Sequence, residues 1–302
     1  MGVIILKKSM KIVGTVLILA LALTACGGNN KEAANNATTS NNGSNNAAAT
    51  TNNSAATGTY QDGTYKGIYD RKDVRNWTAY VEVTVKDGKI EKAYYDYTNE
   101  NGDLRTNDEN YTSAFKAANK MTPREAFDQL GGKLVEVQDA AKVDAVTGAT
   151  HSSRNFNELA AAALEHAKTG DTSDAIVNLY EDGTYKVEAD AFDDHGWKPQ
   201  LELTIKDHKV DSVAFDYVNE EGKLKTEDAD YKAAMEPKSG TYPAKYTEEL
   251  EKQLVDKQLI GDVDAIAGAT TSSNNFSALV EYALDDMAEV GDTDLKAIKI
   301  EE

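Results

Sequence analysis

Thr78-Ala79-Tyr80-Val81-Glu82-Val83-Thr84-Val85 alternates polar and apolar residues, the period-two pattern of a strand with one face in a core. Lys86-Asp87-Gly88-Lys89 turns the chain, and the tyrosine-rich run from Ile90 to Tyr97 reads as the return strand of a hairpin. The period then lengthens. Asn110 to Lys120 and Thr122 to about Gln138 read as helices; Thr122 can cap the second, and Pro123 suits its first position. Phe156, Leu159, Ala160, Ala163, Leu164 and Ala167 fall on one face at helical spacing and predict a third helix.

The same succession occurs twice. Asp62-Gly63-Thr64-Tyr65-Lys66 returns as Asp182-Gly183-Thr184-Tyr185-Lys186, Trp77 as Trp197, Asp96-Tyr97 as Asp216-Tyr217, Gly102 as Gly222 and Tyr111 as Tyr231, each pair 120 residues apart. The final apolar stripe recurs as Phe276, Leu279, Val280, Ala283, Leu284 and Met287. A constant offset means no net insertion between landmarks, so both copies should share one fold, and the period is too long for a solenoid repeat. Strands followed by packed helices indicate an α+β class, with an antiparallel sheet and helices in each of two tandem homologous domains, residues 59–176 and 177–302. His208 replaces the turn glycine Gly88 in the second copy, so a different turn is expected there.

The N-terminal segment changes the picture of where these domains reside. Lys7, Lys8 and Lys11 precede an apolar run from Ile12 to Leu23 that ends in Leu23-Thr24-Ala25-Cys26-Gly27. A basic start, a short apolar middle and small residues before a cut read as a secretory signal peptide over residues 1–25, with Met10 an equally good start. Cys26, the single cysteine, permits no internal disulfide. Apart from Cys26, Lys31 and Glu32, residues 26–58 are Asn, Ala, Thr, Ser and Gly, a composition that cannot offset the entropy of ordering and predicts a disordered tether. Net charge is −19, and cleavage before Cys26 removes three lysines to leave −22. So acidic a surface repels nucleic acid and anionic lipid, which argues against both as partners.

One short segment carries the candidate chemistry. Val143-Asp144-Ala145-Val146-Thr147-Gly148-Ala149-Thr150-His151-Ser152-Ser153 matches Val263-Asp264-Ala265-Ile266-Ala267-Gly268-Ala269-Thr270-Thr271-Ser272-Ser273, and each precedes the amphipathic helix of its copy. Gly and Ala let backbone N–H groups approach a ligand closely. The serine pairs are good capping residues, and a helix N-terminus favours an anion, so the segment reads as a phosphate site with Thr150 or Thr270 at its mouth. That hydroxyl would be a hydrogen-bond partner or the point of a phosphoester bond. The plainer alternative is a capped helix after a small-residue turn, which duplication would copy as readily.

Asp-x-x-[Ser/Thr]-Gly-Ala-Thr resembles the flavinylation motif of FMN-binding domain proteins, such as the flavin subunits of the sodium-pumping NADH:quinone reductase and Rnf complexes. In that family a magnesium-dependent flavin transferase moves FMN from FAD onto the last threonine. The resemblance implies one covalent FMN on Thr150 and one on Thr270, with Asp144, Thr147, Gly148 and Ala149, and Asp264, Gly268 and Ala269, as surrounding recognition positions. Ala267 departs from the pattern where Thr147 keeps it, which implies less complete modification of the second site. Leu-Thr-Ala-Cys resembles the lipobox of bacterial lipoproteins and implies diacylation of Cys26. The whole arrangement resembles the flavin lipoproteins of Gram-positive extracellular electron transfer, of the Listeria type. It implies a carrier on the extracellular face of the cell membrane that takes electrons from a quinol-linked donor to acceptors such as ferric iron, assayable as a reductase without being a conventional enzyme. The competing expectations are a lipoprotein that binds a small solute non-covalently, and a structural cell-wall lipoprotein.

Other features carry less. Asp193-Asp194-His195 looks like a metal trio, but Asp73-Val74-Arg75 replaces it in the first copy, which favours a solvated loop. Asn99-Glu100-Asn101-Gly102 fails as a calcium loop because Tyr97 stands where a ligand is required. Tyr94, Tyr95, Tyr97, Trp77 and Trp197 are the aromatic candidates for stacking on a flavin ring, although strand aromatics more often belong to a core. Ser152 and His151 adjoin without a third group to orient a base, so no hydrolase is read from them.

Overall fold

A computed structural model describes residues 59–300. The signal peptide at 1–25, the lipidation position Cys26 and the tether at 26–58 lie outside the described residues. Each copy builds one four-stranded sheet with helices. In the first, β1 (Gly63–Tyr69), β2 (Thr78–Lys86) and β3 (Lys89–Thr98) form an antiparallel meander. The helices α1 (Glu109–Asn119), α2 (Pro123–Val137) and α3 (Thr150–Thr169) follow, and β4 (Ala175–Val177) returns to pair in parallel with β1. The second copy repeats this with β5 (Gly183–Ala189), β6 (Trp197–Lys206), β7 (Lys209–Asn219), α4 (Ala229–Ser239), α5 (Pro243–Lys257), α6 (Thr270–Tyr282) and β8 (Lys296–Ile298). The sheet orders are β3-β2-β1-β4 and β7-β6-β5-β8.

The alternation in β2 does what its pattern requires: Ala79, Val81, Val83 and Val85 are buried while Glu82 faces solvent. Thr122 and Glu125 close a capping box at the start of α2 with Pro123 at its first position, which satisfies N–H groups the helix itself leaves free. The turn between β6 and β7 corrects the expectation of a different conformation. Asp87 and Gly88 have φ of 52° and 70°, and Asp207 and His208 have 50° and 60°. His208 is held in that left-handed region by its backbone N–H donating to Asp182 and its ring Nδ1 bonding the Tyr180 carbonyl oxygen at 2.8 Å.

The cores are related but not identical. Tyr95 packs on Phe127 at 4.5 Å and on Phe156 at 5.5 Å between ring centres. In the second copy Phe215 meets Phe276 at 5.3 Å, and the neighbouring pair Ala126-Phe127 becomes Tyr246-Thr247, which keeps the volume but moves the ring by one position. Gly67 marks the tightest contact: a Cβ there would lie 2.1 Å from the carbonyl oxygen of Leu159, so α3 rests directly on the backbone of β1. The second copy has Val187 at this place. Gly67→Val should therefore destabilise the protein by about 1–3 kcal/mol or more, as overpacking against rigid backbone does. A shifted urea midpoint checks this, and an unchanged midpoint would contradict the close packing.

Candidate functional site

The motif forms the same tight turn in both copies. Ala149 donates its N–H to the Val146 carbonyl at 2.9 Å, and Ala269 to Ile266 at the same distance. Gly148 and Gly268 sit in the left-handed region with φ of 81° and 80°. A Cβ at Gly148 would also come within 2.6 Å of the Asn119 side chain at the end of α1, and one at Gly268 within 2.4 Å of the Ser239 carbonyl oxygen. Conformation and space both demand glycine. Ala149 and Ala269 are buried, while Thr150 and Thr270, the first residues of α3 and α6, are exposed.

The serines do not cap, contrary to expectation. Both helices begin at the threonine, two residues earlier, with Ala149 and Ala269 at the cap position and no side-chain cap. Ser153 is buried inside the first turn, where its Oγ accepts from Val146 N–H at 3.0 Å and donates to the Ala149 carbonyl at 2.7 Å. Ser273 repeats both contacts, each at 3.0 Å. The serines thus stitch the loop shut behind the threonine. Because neither first turn carries an acidic residue, the positive end of each helix dipole and its free N–H groups are left for an outside anion. By contrast, α1, α2 and α4 are capped by Asp108, Thr122 and Asp228.

The recognition positions flank this turn. Asp144 and Asp264 are exposed, with Lys133 Nζ donating to the Asp144 carbonyl and Lys257 Nζ to the Asp264 carboxylate, both at 2.9 Å. Thr147 and Ala267 are also exposed. In the second copy, a cavity of about 460 Å³ is bordered by Asp264, Ala265, Ile266 and Ala267 with Lys245 and Ser239. Another, of about 330 Å³, is lined by Gly268, Tyr231, Ala234, Met235, Lys238 and Ser239. The motif loop of the second copy therefore borders open space of ligand size.

Of the aromatic candidates, Tyr95, Tyr97 and Trp197 are buried in the core and Trp77 packs partly against it; Tyr94 lies beside Tyr80 and Arg124. Tyr231, marked in the sequence only as a repeat landmark, is the aromatic that borders the cavity next to Gly268. Behind it lies a buried cation that sequence reasoning missed: Lys225 Nζ, 4.4 Å from the Tyr231 ring centre and 4.3 Å from that of Tyr217. The first copy places Arg105 there, over Tyr97 and Tyr111, and pairs it with buried Asp73 at 3.1 Å. The available signal was Leu104-Arg105-Thr106 returning as Leu224-Lys225-Thr226, a cation kept at the common offset. Asp73 and Asp193 are turn anchors: each accepts the N–H of the residue two ahead and of the tryptophan four ahead.

His151, next to Thr150, belongs to a cluster that spans both copies. Its Nε2 lies 2.8 Å from Glu289 and 3.4 Å from Asp285. Arg154 Nη2 reaches Glu289 at 2.6 Å, and Arg75 Nη1 reaches Asp285 at 2.9 Å. His151, Asp285 and Glu289 offer ligand atoms within 4.8 Å of one another, but two guanidinium groups already bond these carboxylates, so the group reads as an ion-pair network. Burial alone would lower the imidazole pKa, yet the hydrogen bonds and charges of Asp285 and Glu289 prevail and raise it to about 9. Burial pushes Asp285 up, and His151 and Arg75 more than reverse this, to about 2. Burial keeps Glu289 above the ordinary carboxylate range. A raised histidine pKa means stability fully present below the ordinary value of 6.5 and lost as pH rises through about 9. The thermal midpoint of the protein should therefore exceed that of His151→Thr most at or below pH 6.5, the gap closing toward pH 9; a gap independent of pH would contradict the assignment.

The chain is similar to several known proteins. The 15 kDa lipoprotein of Treponema pallidum (strain Nichols) is 35% identical over 117 residues, which span 39% of this chain and 82% of the relative. A crystal structure of a Clostridium perfringens protein shares 41% identity, covering 40% of this chain and 99% of that one at a TM-score of 0.39. A solution structure from Clostridium thermocellum shares 28% identity over 35% of this chain and 91% of its own, at a TM-score of 0.25. Among the described residues no helix is long and apolar enough to cross a membrane. Residues 76–165 and 195–285 each match the FMN-binding domain, and the chain belongs to that family, carrying the domain twice.

Proposed function

We propose that the protein is an extracellular electron carrier in which FMN is joined through its phosphate to Thr150 and Thr270. The observation that carries this reading is the placement of both motif threonines, exposed at the first residue of an uncapped helix and backed by a loop whose glycine no other residue can replace without strain. In the attachment, the threonine oxygen takes the phosphorus of the FMN half of FAD, AMP departs, and the hydroxyl proton goes to solvent or to the flavin transferase. The free N–H groups of the first helical turn and the dipole behind them suit the phosphate, whose charge they would balance. Bound FMN supplies reversible one- and two-electron chemistry, while the protein supplies position and electrostatics.

Lys225 contributes a buried positive charge behind Tyr231 beside the second site, which favours added negative charge nearby, whereas Asp73 offsets the charge of Arg105 in the first copy. Lipidation of Cys26 and the polar composition of residues 26–58 would keep both domains at the outer membrane face within reach of a quinol-linked donor and of soluble or mineral acceptors such as ferric iron. A covalent link suits that location, because a dissociated flavin outside the cell is not easily replaced.

After co-production with a flavin transferase, the protein should keep its yellow colour and flavin fluorescence through denaturation, and Thr150→Ala with Thr270→Ala should abolish both. A double variant that still retains flavin after denaturation would overturn the assignment. Thr147 and Ala267 are both solvent-facing, so their difference acts on recognition and not on folding. Ala267→Thr should accordingly raise flavin occupancy at Thr270, read by peptide mapping, with no change in the thermal midpoint.

A further inference from the structure

The cluster around His151 is where the two copies stop resembling each other. Arg75, His151 and Arg154 become His195, Thr271 and Asn274 in the second copy, and Glu289 corresponds to Thr169 in the first. These positions differ because in one copy they face the other copy. Asp285 and Glu289 stand at the end of α6, where the helix widens into a π turn over Ala283–Ala288, and Glu289 N–H donates back to Leu284 O at 3.2 Å. The corresponding stretch of α3 stays α-helical. Such widened turns re-aim side chains and are frequent at functional positions.

Two further contacts close the junction. Gly261, which replaces Ala141, lets the Asn76 side chain of the first domain approach so closely that a Cβ would lie 2.8 Å from its Nδ2. The connecting segment is pinned as well: Leu179 N–H donates to Asp70 at 3.0 Å, and Tyr180 is buried under Arg71.

The consequence lies in which helix makes the grip. Thr270 is the first residue of α6, and Asp285 and Glu289 at its far end hold the residue that follows Thr150. The two threonines therefore stand at opposite ends of a single helical rod. At 1.5 Å per residue from Thr270 to Glu289, their separation is on the order of 25–30 Å. We propose that this junction fixes the separation of the two attachment sites, with Arg75, His151 and Arg154 as positioning residues gripped by Asp285 and Glu289, so that charge passes between centres held in one geometry. This rests on the assignment of Thr150 and Thr270 as attachment sites.

The test is a pulsed dipolar distance measurement between spin labels at Thr150→Cys and Thr270→Cys in the full chain carrying Cys26→Ser, which removes the only native thiol. Labels occupy the flavin positions, so the distance is read whether or not FMN attaches, and failure of flavinylation and failure of the junction give separate results. The expected result is one narrow distribution centred at about 25–30 Å. Adding Arg75→His, His151→Thr and Arg154→Asn, the residues the second copy carries, should at least double its width while far-ultraviolet circular dichroism stays unchanged. A broad or multimodal distribution in the parent protein overturns the proposal, and so does a distribution the three substitutions leave intact. Should the triple variant lose its helical signal, Glu289→Gln, which keeps the shape and removes the charge, is read by the same two criteria.

Discussion

The turn from Val146 to Ser153, with its repeat from Ile266 to Ser273, is the constraint on which each candidate site depends. A left-handed glycine lies against the end of the first helix of its copy, α1 in one and α4 in the other, in space that no side chain can share. The buried serine then joins the loop to the first helical turn by two hydrogen bonds. With its inner groups satisfied in this way, the loop presents the threonine hydroxyl and the first helical N–H groups to the outside. Of the other helices, α1, α2 and α4 carry a side-chain cap and α5, which starts at Pro243, does not; at α3 and α6 the missing cap leaves the helix-end charge beside the exposed threonine for an anion.

Much of the fold was legible because it rests on local chemistry. The alternation at Thr78–Val85, the turn at Asp87-Gly88 and the Thr122-Pro123-x-Glu125 start of α2 each carry their own physical signal and reappear where expected. The three-residue strands β4 and β8 carry no such signal: they exist because a neighbouring strand offers an edge. Ser152-Ser153 was misread for a related reason. Serine before an apolar stripe is good capping chemistry, but the requirement to close the loop behind Gly-Ala drew Ser153 inside and moved the helix start to Thr150. The turn at His208 failed as a glycine argument because hydrogen bonds to Tyr180 and Asp182 compensate for the left-handed backbone.

What the repeat concealed lies in its departures. Aligning two copies highlights what they share, so the motif stands out, while Arg75, His151 and Arg154 are not repeated in the second copy. Their partners are more than 130 residues away and in the other domain, a relation no periodicity expresses. The same asymmetry distinguishes the buried cations: Arg105 is neutralised by Asp73, whereas Lys225 rests on aromatic rings at a place where burial lowers its pKa. Two domains of one fold thus hold the cation of the shared position in different electrostatic settings.

The central claim is that each domain carries one FMN on its motif threonine. The most direct measurement is the intact mass of the mature protein after exposure to a flavin transferase and FAD, followed by peptide mapping. The account predicts two FMN-sized additions, one in the peptide holding Thr150 and one in the peptide holding Thr270. An unmodified mass, or an addition located anywhere else, would contradict it.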